Sequence, residues 1–271
     1  MNENESVYVP LEYISYEKYL WLLKNEADHC KISMEIIGNE TSERTCICYP
    51  IYRLIIHPEA QQTICIIAGI HGAEIAGPYA VFNFLRSSVH LQYTNFRYII
   101  YPMINPCGFD LRQRYDDDYR DLNAIYADTL TSKNYREVQA FYFDVIKFQP
   151  FLAVISLHED IDLDKFYMYG LGHDNKDFYH ALCQVGMSHC PPWSNADIYG
   201  FQSDEHGLIL SNGRDHAFDG ALYAKGMAKI AYTFETPGKL AIEKRVSLMT
   251  EWLKTSVQLL ERKFAFSPAP E

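Results

Sequence analysis

Four short apolar runs limit what this chain can fold into more than any other feature. Residues 63–70 (TICIIAGI), 98–104 (YIIYPMI), 151–157 (FLAVISL) and 229–234 (KIAYTF) are rich in β-branched and aromatic side chains. That is the pattern of strands covered on both faces. Residues 52–57 read as a further, more exposed strand. Helical stretches are expected between them at 76–90, 133–148, 176–186 and 241–263. The last places Val246, Met249, Trp252, Leu253, Val257 and Leu260 at helical spacing. Strands alternating with helices predict an α/β fold: a mixed, largely parallel β-sheet with helices on both faces. No repeat, low-complexity tract or linker divides the chain, so one domain over residues 1–271 is expected.

Composition narrows the partners. The chain has 271 residues, 48% of them apolar and 22% charged, an ordinary globular balance. With 24 Lys and Arg against 35 Asp and Glu, the net charge is −11. That argues against nucleic-acid binding, which needs clustered positive charge, and against an anionic membrane surface. No apolar run approaches the ~20 residues that cross a bilayer. The first ten residues are acidic and polar, unlike a secretory signal. Seven cysteines, an odd number with no CxxC pair, suggest reduced thiols, a cytoplasmic location and no zinc–cysteine structural site.

Chemistry gathers where the apolar runs stop. Residues 63–70 lead into His71, Gly72, Ala73 and Glu74; residues 151–157 lead into His158; residues 229–234 lead into Glu235. Open α/β sheets bind ligands at the carboxyl ends of their strands. Two imidazoles and a carboxylate suit a catalytic zinc site, which keeps three protein ligands and one open position. His71, Glu74 and His158 are such a set, and Glu235 is a separate carboxylate able to move a proton. The His-x-x-Glu spacing decides nothing alone. Ten histidines give two such pairs, Glu74 after His71 and Asp219 after His216, about what the acid content alone would supply. What distinguishes His71 is its place between an apolar strand and a helix, beside a glycine.

These residues resemble the motifs of the zinc carboxypeptidase family, the carboxypeptidase A-type metallopeptidases. HGAE at 71–74 is similar to that family's His-x-x-Glu ligand pair. Asn105-Pro106-Cys107-Gly108 is similar to its Asn-Pro-x-Gly segment, and Arg120-Asp121-Leu122-Asn123 to its Arg-Asp-Leu-Asn stretch. Ser156-Leu157-His158 and Thr233-Phe234-Glu235 resemble the strands carrying the third ligand and the general base. The motifs keep the family's order and span residues 63–238. The resemblance implies one zinc ion per chain held by His71, Glu74 and His158. It implies Glu235 as general base and then general acid, and Arg114 (with Arg112 as the alternative) as the cation polarising the scissile carbonyl. It also implies Asp121 as the acceptor that orients His71, and Asn123 as a substrate contact.

Two departures bear on substrate. The family often has arginine after Asp-Leu-Asn, clamping a terminal carboxylate; here the position is Ala124. Arg120 and Arg214 are candidate substitutes. The zone where the family places a mobile tyrosine has His216 instead as a possible donor. Two acidic stretches, Asp116 to Asp118 and Glu159 to Asp164, read as solvated turns, with a cationic-substrate rim and a second metal site as their respective alternatives.

The expected function is therefore a zinc-dependent metallohydrolase cleaving an amide bond, foremost a carboxypeptidase-like peptidase acting on a peptide. A deacylase of small N-acyl amino acids, resembling the succinylglutamate desuccinylase and aspartoacylase branch, is the second expectation. A non-catalytic metal-binding scaffold is the third.

Overall fold

The computed structural model describes residues 13–124, 136–211 and 217–264. Its strands are β1 (Ser33–Thr41), β2 (Cys48–Ile56), β3 (Gln62–Ala68), β4 (Phe96–Tyr101), β5 (Phe151–Asp160), β6 (Tyr167–Leu171), β7 (Asp197–Ile198), β8 (Phe201–Gln202), β9 (Leu208–Ser211) and β10 (Ala228–Pro237). Its α-helices are α1 (Tyr16–His29), α2 (Ala76–Arg86), α3 (Pro106–Leu111), α4 (Arg136–Val145), α5 (Lys176–His189), α6 (Phe218–Ala224) and α7 (Ile242–Phe264).

Eight strands form one mixed sheet in the order β1-β2-β4-β3-β5-β10-β6-β9. Its centre, β4-β3-β5-β10, is parallel, and antiparallel neighbours join on both sides of it. Side chains alternate across β3: Ile64, Ile66 and Ala68 face the layer of α1, α2, α5 and α7, while Cys65 and Ile67 face that of α4 and α6. Both faces are covered, which is why the central runs are apolar without alternation. The anticipated stripe of α7 is buried, and Trp252 stacks on Phe234 at 4.5 Å.

Several boundaries differ from expectation. The apolar run at 151–157 ends before its strand does, because β5 stays paired with β10 as far as Pro237 opposite Asp160. The run at 98–104 leaves the sheet after Tyr101 and turns into α3, whose N-terminus Asn105 caps by accepting from the Gly108 amide at 2.8 Å. The helix expected to reach residue 90 stops at Arg86, and left-handed Ser88 follows. Residues 133–135 of another expected helix lie outside the described residues. All seven cysteines are free, four of them buried. Among the described residues, no helix is long and apolar enough to cross a membrane.

Candidate metal and catalytic site

The turn after β3 is built by close backbone approach. A Cβ at Gly72 would sit 2.0 Å from the Gly108 carbonyl carbon, so only glycine fits. The Gly72 amide donates to Arg114 O at 3.4 Å, and Asn105 Nδ2 donates to the same oxygen at 3.3 Å. The Asn105–Gly108 segment thus holds the turn that aims His71 and Glu74. His158 and Glu235 arrive by strand register, since they are direct partners across β5 and β10.

The three metal-type donors meet. His71 Nδ1 lies 2.6 Å from Glu74 Oε1, His158 Nδ1 lies 2.9 Å from Glu74 Oε2, and the two Nδ1 atoms are 3.1 Å apart. All three residues are buried. Donors bound tetrahedrally at 2.0–2.2 Å stand about 3.4 Å apart, so a zinc-sized ion needs only a slight opening of this cluster. The donor set, two imidazole nitrogens and a carboxylate, therefore fits such an ion.

Neighbours fix the donors. His71 Nε2 contacts Asp121 Oδ1 at 3.1 Å, leaving Nδ1 turned to Glu74. Arg114 donates from Nε to Asp121 Oδ2 at 3.1 Å and from Nη1 to Glu74 Oε1 at 3.2 Å. The Glu159 amide donates to Glu74 Oε2 at 3.1 Å. Burial alone would push the Glu74 carboxyl up, but His71 and His158 hold it far below the usual range. Asp121 is likewise held low: the His71 contact and Arg114 overcome its burial. Glu235, partly buried, is driven well above the usual range by burial, then by Glu74 and Asp160.

These groups open onto a cavity of about 670 Å³. Asp160, Asp162, Asp219 and Glu235 line it, and Arg114 is its one arginine or lysine among the described residues. Asp219 is fully buried and accepts from Thr233 Oγ1 at 2.5 Å; burial pushes its carboxyl upward. Tyr199 reaches across the mouth to donate to Asp160 Oδ2 at 3.1 Å. Asn123 and Ala124 also line the cavity.

Not every anticipated residue gathers here. Arg120 turns away, donating from Nε to Asp116 Oδ2 at 2.7 Å, and lines a separate cavity of about 260 Å³. Arg112 stacks over Tyr13. His216 and Arg214 lie outside the described residues. The two acidic stretches are solvated only in part: Asp118, Asp162 and Asp164 are exposed, while Asp116, Glu159 and Asp160 are buried. Asp116 is fully buried and accepts from the Asp118 and Arg120 amides, and Asp117 accepts from Ser42 and the Glu43 amide. Glu159 caps α2 through the Ala76 amide at 2.7 Å and pairs with Arg245 at 2.5 Å. Sequence reasoning passed over Asp219 and Tyr199 as site residues. Asp219 carried one faint signal, its place three residues after His216.

Comparisons with known proteins bear on the fold. Residues 60–190, just under half of the chain, match the succinylglutamate desuccinylase/aspartoacylase catalytic domain. No curated protein matches the chain by sequence. Among solved structures, a protein from Shewanella amazonensis SB2B, provisionally described as a metallopeptidase, is 22% identical. The alignment covers 90% of this chain and 92% of that one, at a TM-score of 0.78. A metallo-carboxypeptidase from Burkholderia cenocepacia is 16% identical over 92% of this chain and 70% of its own, at a TM-score of 0.71. The fold is thus the metallo-carboxypeptidase one, as the motif resemblance implied.

Proposed function

We propose that the protein is a metal-dependent amide hydrolase, of carboxypeptidase-like type, acting on a peptide whose cleaved residue carries a cationic group. The observation that carries this reading is the buried His71–Glu74–His158 donor cluster, opening onto a cavity beside Glu235. Those three residues would hold one zinc ion, which supplies Lewis acidity at the scissile carbonyl.

The chain's own groups do the rest. Glu235 faces the cavity from the strand next to His158, where a carboxylate can take up and return a proton. It accepts a proton from water as the water oxygen bonds to the carbonyl carbon. It returns that proton to the departing amine nitrogen as the carbon–nitrogen bond breaks. Arg114, already within reach of Glu74, offers a guanidinium to the oxyanion formed between those events. Ala124 supplies no clamp for a terminal carboxylate, so Asn123, which also lines the cavity, would make that contact. Asp160 and Asp162 give the cavity its preference for a cation.

A second reading, deacylation of a small N-acyl amino acid, is favoured by the domain match over residues 60–190. Peptides ending in lysine, arginine or alanine, and N-acetyl and N-succinyl amino acids, are to be assayed with zinc-loaded wild type and Glu235→Gln. The proposal expects the basic C-terminal peptides to be cleaved fastest. It expects Glu235→Gln to lose about 10³-fold in kcat while keeping its zinc. Faster turnover of the N-acyl amino acids would move the assignment to the second reading. No turnover of either class, or an active Glu235→Gln, would refute amide hydrolysis through Glu235.

A further inference from the structure

Outside the main cavity, a second group of metal-type donors comes together from distant parts of the chain. His180 stands on α5, while Asp204 and His206 lie in the segment that leads into β9. One donor atom from each lies within 4.8 Å of the other two. His180 Nε2 contacts Asp204 Oδ2 at 2.7 Å, and the His180 and His206 rings are 4.5 Å apart, tilted by 39°. We propose that His180, Asp204 and His206 form a second transition-metal site, of zinc type, which clamps the 191–207 segment onto α5.

Three observations support it. First, Asp204 is prepared as a ligand. Its Oδ1 accepts from the His206 amide at 2.9 Å and the Leu208 amide at 3.1 Å, which orients Oδ2 towards His180.

Second, an ion pair between His180 and Asp204 needs only two groups, yet a third is present. His206 Nδ1 is shut off from solvent and has no hydrogen-bond partner among the described residues. The nearest carboxylate oxygen, Glu205 Oε1, is 3.6 Å away, beyond hydrogen-bond reach. A buried polar nitrogen without a partner is costly, and a shared ion would remove the orphan. Two imidazoles around one carboxylate select zinc or a similar ion over calcium or magnesium, which want oxygen. Each side chain keeps about a quarter of its surface, so water or Glu205 can complete the coordination.

Third, the clamped segment serves the main cavity. It carries β7 and β8, and with them Tyr199 and Phe201, which form part of the cavity wall. Ser203 Oγ donates to Trp193 O at 2.6 Å, and the Asn195 amide donates to Asp204 O at 3.0 Å. These bonds tie the segment to Asp204, so an ion there would brace the rim that Tyr199 contributes.

The test is zinc stoichiometry of the full-length protein, stripped, reloaded and equilibrated with a chromophoric chelator. Wild type, His206→Gln, His180→Gln, His158→Gln and the His158→Gln/His206→Gln double variant are compared. The proposal expects two zinc ions in wild type, one in each single variant and none in the double variant. In His158→Gln, zinc should raise Tm by about 5 °C, and adding His206→Gln should abolish that rise. Measuring both His180→Gln and His206→Gln guards against one of them misfolding, which circular dichroism would reveal. A single zinc in wild type that survives both of these changes would overturn the proposal. Zinc retained by the double variant would do the same.

Discussion

Glu74 and Glu40 are equally hidden, each 3% exposed, and their charge states are opposite. Glu74 meets two imidazoles, the Arg114 guanidinium and a backbone amide, and its carboxyl is held far below the usual range. Glu40 lies against Glu137, its oxygens accept no hydrogen bond among the described residues, and it is pushed up to about 9 by burial and then by Glu137. Burial sets the cost of ionisation; the partners decide whether it is met. A carboxylate kept charged in the interior is ready to bind a cation without first losing a proton. The fold has spent that arrangement at the end of β3 and not at the end of β1.

The largest effect should come from removing the charge that is kept. Glu74→Gln should weaken zinc binding by more than about 100-fold, read by chelator competition, because it deletes a ligand. Retained affinity would show that Glu74 is held ionised for the imidazoles alone. Asp121→Asn, which touches His71 from the outer side, should cost about 10–100-fold in the same assay.

The smallest effect is expected at Glu40, and its sign is reversed. The folded Glu40 keeps its proton up to about 9, whereas its ordinary value is 4.5. Between those values the folded state holds more protons than the unfolded one, so stability falls as pH rises. Glu40→Gln should remove that decline. At pH 8 it should gain about 1–3 kcal/mol over wild type in denaturant unfolding, and at pH 4 the two should coincide. A destabilised variant at pH 8 would mean that Glu40 is ionised and paired.

The same contrast explains what the sequence could reveal. The central strands and α7 were legible because burial on both faces writes a long apolar signal. β1, mostly exposed or half-exposed along its length, and the four-residue β9 write almost none. His71, Glu74, His158 and Glu235 stood out because each follows directly from an apolar run. Asp160 did not, because its strand outlasts its apolar residues. Tyr199 and Asp219 reach the cavity only through tertiary packing. Asp116 was misread because acidic composition signals solvent, while here Arg120 and backbone amides supply donors that offset its burial; its neighbour Asp118 is exposed as expected.

The central claim is that His71, Glu74 and His158 share one ion beside Glu235. A crystal of the zinc-loaded protein, with anomalous scattering recorded at the zinc edge, tests it most directly. A peak about 2.0–2.2 Å from both Nδ1 atoms and a Glu74 oxygen is the predicted result. Density showing the three side chains still bonded to one another, with no zinc between them at saturating metal, would contradict it.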